Sequence, residues 1–171
     1  MQFKVGDKVV YPNQGIGEIR GITSHTIMGT TEDFYSLHIL SNDSTVMIPI
    51  NNVDNVGLRR LSSDGDLKKL FNVLESESYE AGQDWKHRYK DNVEKMTSGC
   101  IIEVGVVLQN LYFLSFQKPL SFREKKMYDR ARKLVISEIS TVQKEPEGSV
   151  ETLVESMLSA AYEKHTAQAV G

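Results

Sequence analysis

The sequence predicts an α+β chain: a small antiparallel β-barrel or strongly bent sheet, then a compact domain of five helices. Two observations carry this. Through about the first 50 residues, short β-branched and aromatic runs alternate in polarity and are broken by turn sequences, at the roughly 8–12-residue spacing of small all-β domains. From Ser62 onward the apolar residues recur at three- and four-residue steps, the period of amphipathic helices. The switch falls within Asn51–Ser63. It predicts a β domain over 1–60, a helical domain over 61–165 and a frayed tail over 166–171.

Val5, Val9, Val10 and Tyr11 open the first strand, which Tyr11-Pro12-Asn13-Gln14-Gly15 breaks. Ile16, Glu18 and Arg20 alternate with Gly17, Ile19 and Gly21 in the second, whose glycines read as turn and bulge positions. Met28-Gly29-Thr30-Thr31 is a turn, Phe34–Leu40 a third strand, Ser41–Ser44 a tight turn and Thr45–Pro49 a further strand. Pro49 donates no ladder hydrogen bond, which places it at an edge or strand end.

Leu67, Leu70, Phe71 and Leu74 form one face of the first long helix, after Ser and Asp caps at 62–66. Ser76–Gly82 reads as an acidic loop. A second helix runs from Asp84 to Met96, with Val93 and Met96 among its apolar positions, and Gly99 ends it. Ile101–Phe116 is apolar all round, so it is the expected buried helix. Lys118-Pro119 breaks it. Ser121-Phe122-Arg123-Glu124 is a capping box that opens a fourth helix, and Val150 to Ala161 patterns a fifth.

The composition (40% hydrophobic, 25% charged) is that of a globular chain. No apolar run approaches the ~18 residues of a membrane span. The N-terminus lacks the apolar core of a secretory signal, so the cytoplasm is the expected compartment. The single cysteine, Cys100, excludes a disulfide framework and a cysteine zinc site, and it reads as a buried structural thiol. His25, His38, His87 and His165 show no metal-ligand spacing, and no acid–base–nucleophile constellation converges. No enzyme, metal or cofactor is expected. Gly15-Ile16-Gly17-Glu18-Ile19-Arg20-Gly21 fails as a dinucleotide loop, because Arg20 stands at the third glycine position and a strand follows where a helix is needed.

The net charge of −3 argues against nucleic acid until it is divided. Residues 81–145 hold 12 basic and 8 acidic side chains, between acidic flanks. Such asymmetry points to a localised anionic partner, or else to solvated helix faces. Within the basic block lies Trp85-Lys86-His87-Arg88-Tyr89-Lys90, which carries the chain's only tryptophan. Arg88 and Tyr89 share a helical face with Trp85. Cations interleaved with aromatics suit distorted or single-stranded nucleic acid, where rings stack on bases and cations meet phosphates. The same pattern equally fits Trp85 and Tyr89 plugging a bundle core while the basic residues snorkel. Arg123, Lys125, Lys126, Arg130, Arg132 and Lys133 form a second basic cluster.

The residues Phe3-Lys4-Val5-Gly6-Asp7-Lys8-Val9-Val10-Tyr11-Pro12-x-x-Gly15, Val56-Gly57-Leu58-Arg59, Trp85-x-x-Arg88-Tyr89-Lys90, Glu94-Lys95-Met96, Ser98-Gly99, Leu120-Ser121 with Glu124-Lys125, and Ala131-Arg132 together resemble the CarD/CdnL group of bacterial transcription regulators, over about residues 3–160. The resemblance implies an N-terminal Tudor-like (SH3-like) barrel that binds the RNA polymerase β subunit, as the corresponding domain of the transcription-repair coupling factor does. It implies a C-terminal helical domain that binds promoter DNA without reading sequence, at the upstream edge of the bubble. Trp85 would wedge at that fork, with Lys86, Arg88, Lys90, Lys125 and Lys126 on the DNA side. The polymerase contact would involve His25, Leu37, Met47, Ile48 and Pro49. Some relatives carry arginine at 25 and 47; His25 and Met47 here weaken a salt-bridge version of the contact and leave an apolar one with edge-strand pairing, while Met47 and Pro49 also fit ordinary core or strand-end positions. The rival reading is an adaptor on polymerase without direct DNA contact, with Trp85 in the core.

Overall fold

The computed structural model describes residues 2–77 and 84–170, with the side chains of Trp85, Ala169 and Val170 outside the described part. The chain divides into two compact units, Met1–Leu61 and Ser62–Gly171.

The first unit is a five-stranded antiparallel sheet. Its strands are β1 (Lys8–Tyr11), β2 (Gly15–Ile27), β3 (Thr30–Ile39), β4 (Thr45–Pro49) and β5 (Arg59–Arg60), in the order β4-β3-β2-β1-β5. A 3-10 turn (Ile50–Asn52) and one turn of helix, α1 (Val53–Val56), link β4 to β5. The pleat sends alternate residues inward. Val9, Ile19, Tyr35, Leu37, Ile39 and Ile48 therefore bury together, and Phe3, Val53 and Leu58 close the core. Tyr35 brings a polar tip inside and satisfies it: its hydroxyl accepts from the Phe3 N–H at 2.9 Å and donates to the Phe3 carbonyl at 3.2 Å.

Pro49 ends β4, which is an edge strand, in line with its missing donor. The register shifts between Ile19 and Gly21, which is the expected bulge. Gly17 has a different reason to be glycine: a Cβ there would meet Leu37 Cδ1 at 2.7 Å and the His38 carbonyl at 3.1 Å. The turn between β2 and β3 is tighter than the sequence suggests. It is Met28-Gly29 alone, both at positive φ (54° and 80°), and Thr30 and Thr31 already pair with Ile27 and Thr26. From Ser24 to Asp33 these two strands pair only with each other, so they form a two-stranded arm.

The second unit holds α2 (Asp64–Glu75), α3 (Trp85–Ser98), α4 (Ile101–Gln117), α5 (Phe122–Gln143) and α6 (Glu147–Val170). Capping boxes open α2 (Ser63 with Asp66) and α5 (Ser121 with Glu124). Gly99, at φ 75°, ends α3. The apolar helix α4 is the central one and packs against α2, α3, α5 and α6. Val107, Leu108 and Leu111 are fully buried on it, each stabilising by about 1.5–3 kcal/mol relative to exposure. Gly105 lets α2 approach, for a Cβ there would lie 2.5 Å from Leu70 Cδ1. Gln109, buried in the same helix, donates to the carbonyls of Val73 (2.7 Å) and Ser76 at the end of α2. The Val73 carbonyl also accepts the Ser76 N–H at 3.1 Å, so Gln109 reinforces that cap and reaches the Ser76 carbonyl just past the helix.

Two local expectations are revised. The helix α6 continues to Val170 through the segment expected to fray, and its last turns are tied down, with His165 Nδ1 3.1 Å from the Glu77 carbonyl and Gln168 donating to the Glu77 carboxylate at 2.8 Å. Cys100 is half-buried at the N-cap of α4, because Gly99 turns the chain there before the helix begins. Of the acidic segment 76–82, residues 78–82 lie outside the described residues. Among the described residues no helix is long and apolar enough to cross a membrane, and no group of three His, Cys, Asp or Glu side chains is placed to hold a metal.

Candidate functional site

The basic segment becomes α3, which starts at Trp85 because Asp84 caps it. The Asp84 carboxylate accepts from the His87 N–H at 2.9 Å and lies 2.9 Å from His87 Nδ1. The backbone bond from His87, then the His87 ring, hold this carboxyl below its ordinary value. Lys86 and Lys90, one turn apart, are both exposed. Trp85 occupies the first helical position, and its side chain, the expected wedge, lies outside the described ones.

Arg88 differs from the solvated phosphate contact that the resemblance implies. Its Nε and Nη2 both donate to Glu124 Oε2 at 3.2 Å. The arginine side chain is 16% exposed and the glutamate 7%. The other oxygen of Glu124 accepts from the Ser121 N–H at 3.3 Å, closing the capping box of α5. One carboxylate thus serves two purposes. It caps α5 and it binds the first turn of α3 to the first turn of α5. Arg123 adds a second tie, with its guanidinium 5.9 Å from the Tyr89 ring centroid.

With Arg88 occupied inward, the exposed cations at this paired end are Lys86, Lys90, Arg123, Lys125 and Lys126. Lys126 Nζ sits 4.5 Å from the Phe122 ring centroid, and Phe122 itself is 72% exposed. Sequence reasoning missed Phe122. Its sign is a large aromatic at the first position of a capped helix, where the side chain has no preceding turn to pack on. Farther along α5, Arg132 is paired with Glu151 and, at 2.8 Å, with Glu155 of α6, which raises its pKa and removes it from the candidate basic face.

In the sheet unit the five candidate contacts separate by pleat parity. Leu37 is fully buried and Ile48 is 2% exposed, so both belong to the core and neither is offered to a partner. Met47 is opposite Ser36 and Pro49 is opposite Phe34. Phe34 is opposite Thr23, which puts His25, two residues on, on the same outward face. His25 is exposed, with its ring edge-to-face on Phe34 at 5.3 Å. Ile27, 65% exposed, shares the parity of His25 and was not singled out from sequence. The outward face of β2, β3 and β4 thus carries Ile27, His25, Phe34, Met47 and Pro49.

Comparison with known proteins identifies both halves. Residues 3–62 match the CarD-like/TRCF RID domain, and residues 69–155 match the CarD C-terminal domain. The "Putative transcription factor YdeB" of Bacillus subtilis is 30% identical over 82% of this chain and 92% of that protein. The transcription-repair-coupling factor of Bacillus subtilis is 31% identical over 54% of this chain, a stretch that is 7% of that much longer protein. Among solved structures, CdnLNt from Myxococcus xanthus is 50% identical over 37% of this chain and 90% of its own, with a TM-score of 0.33. The 72-residue N-terminal domain of Myxococcus xanthus CarD is 34% identical over 36% of this chain and 83% of its own, with a TM-score of 0.31. With one family domain on each side of the junction near residue 62 and a relative matched along most of its length, the chain belongs to the CarD/CdnL family of transcription regulators.

Proposed function

We propose that this chain binds the RNA polymerase β subunit through its N-terminal sheet, in the Tudor-like role, and stabilises the promoter open complex through its helical unit. The DNA contact is made without reading sequence. Trp85 is the wedge at the upstream fork, and Lys86, Lys90, Lys125 and Lys126 meet phosphates. The observation that carries this reading is the pairing of the α3 and α5 starts by Arg88 and Glu124, with those lysines exposed beside the position of Trp85. Arg88 is assigned a positioning role. The polymerase contact is assigned to Met47, Pro49 and His25, with the free edge of β4 available to extend a partner sheet. Such a regulator works in the cytoplasm, on the nucleoid, through its attachment to polymerase.

The physical logic is a population shift. A wedge that binds opened DNA better than closed DNA moves the equilibrium toward open by its differential affinity and no more. Attachment to polymerase supplies the local concentration that an acidic chain with few cations needs. Trp85→Ala should leave β-subunit binding intact and shorten open-complex lifetime on a promoter. An unchanged lifetime would refute the wedge. For the isolated protein, binding to free DNA should be weak. Four phosphate contacts give a log–log salt slope of roughly −3 to −4.

A further inference from the structure

We propose that Phe122 is a second aromatic DNA contact, its ring stacking on an exposed base while Lys125 and Lys126 hold flanking phosphates; this rests on the DNA-binding reading above. Residues 122, 123 and 124 divide the work of the α5 start. Glu124 turns inward to the capping box and Arg88, and Arg123 lies over Tyr89. Phe122 alone of the three is left presenting a large apolar surface to water, at 72% exposure. The other large apolar residues exposed on the described part of this unit are Phe116 and Leu153. Phe116 has a partner, stacking on Tyr162 at 4.3 Å and 21°. Leu153 is a single aliphatic residue on α6.

The surroundings of Phe122 choose the occupant. Lys126 is 4.5 Å from the ring, Lys125 is exposed next to it, and Lys86 and Lys90 are exposed on the helix tied alongside. Of the nearby acids, Glu124 is engaged by Arg88 and Asp84 by His87, while Asp91 and Glu94 follow Lys90 on α3 and Asp129 lies two turns on along α5. A flat apolar ring ringed by cations complements a polyanion that carries flat apolar faces of its own. Unpaired DNA is such a partner, because stacking tolerates any base and the lysines meet the backbone.

The test uses the whole chain at low ionic strength, with fluorescence anisotropy on two DNAs: a duplex ending in unpaired tails and the same duplex fully paired. Phe122→Ala should weaken binding to the forked DNA roughly five- to a hundred-fold, the range of one base–aromatic stack. The fully paired duplex should be affected less, the melting temperature should stay unchanged, and Phe122→Trp should restore forked binding. Wild-type affinity of Phe122→Ala for the fork, or equal loss on both DNAs, overturns the proposal. Trp85→Ala is measured in parallel. If it weakens the fork and Phe122→Ala does not, the second contact alone fails. If the wild-type chain binds neither DNA, the DNA reading fails and takes this proposal with it.

Discussion

Arg88 is the residue where a structural role and a phosphate-binding role are most sharply opposed, and the two make different predictions. Glu124→Gln keeps a polar side chain at the N3 position of the α5 capping box while removing the charge that Arg88 faces. Arg88→Met keeps the unbranched stem and removes the other charge. Breaking a fully buried ion pair from one side costs about 3–5 kcal/mol, while an exposed pair contributes about 0.2–1 kcal/mol. Here the two partners are 16% and 7% exposed, and two N–H groups share one oxygen at 3.2 Å. The pair lies nearer the buried limit, and each single substitution should cost about 1.5–3 kcal/mol. The double variant should cost less than the sum of the two, by a coupling of about 1–2 kcal/mol. Urea unfolding followed by far-UV circular dichroism measures all four corners of the cycle. DNA binding supplies the second axis: Lys90→Ala should reduce the magnitude of the salt slope by about 0.9, and Arg88→Met should leave it unchanged. A coupling below about 0.5 kcal/mol, together with a slope reduced by about one unit in Arg88→Met, would refute the positioning role and return Arg88 to the phosphates.

Three further outcomes are expected. Met47→Glu should abolish β-subunit capture in a pull-down with little change in stability, whereas Ile48→Ala should lower stability by about 2–5 kcal/mol as a core cavity does; the reverse pattern would show the pleat parity to be wrong. Gly105→Ala should destabilise the helical unit by about 0–2 kcal/mol in chemical unfolding, the cost of its methyl meeting the buried Leu70 Cδ1 at 2.5 Å less about 1 kcal/mol of helix propensity gained over glycine. Asp84 has a folded pKa held below 3.8, so its capping contribution is fully present above that value and disappears as pH falls through the lower, folded one. An NMR titration of Asp84 and the His87 amide with a midpoint at or above 3.8 would show that the cap is not formed.

The order of strands and helices was legible because period reports burial: alternation at Ile16–Arg20 and the three–four spacing at Leu67–Leu74 each permit one kind of element. The basic face was legible as charge. The sequence did not reveal which cations are consumed. Arg88 and Glu124 lie 36 residues apart, and nothing local to either predicts that they meet. The family resemblance puts Leu37 and Ile48 at an interface together with Met47 and Pro49. Parity separates them, but only once the register Tyr35–Ile48 and Leu37–Val46 is known. Phe122 escaped notice because an aromatic at a helix start looks the same in sequence whether it packs or points outward. The tail at 166–170 looked unanchored because its partner, Glu77, is 88 residues from His165.

The β2–β3 arm behaves differently from the sheet that bears it. Beyond Phe34 each of its strands has one neighbour, and from Ile22 to Thr31 every residue is exposed. Two-stranded ribbons are marginal in water on their own. Its four terminal pairs, Ser24–Asp33 to Ile27–Thr30, should therefore exchange their amide hydrogens through local opening, far faster than Leu37 or Ile39 in the core strands. A partner that lies on Ile27, His25 and Phe34 closes that opening. The slowing of exchange along the arm then records contact residue by residue, and the entropy lost in quieting it is subtracted from the affinity of the complex.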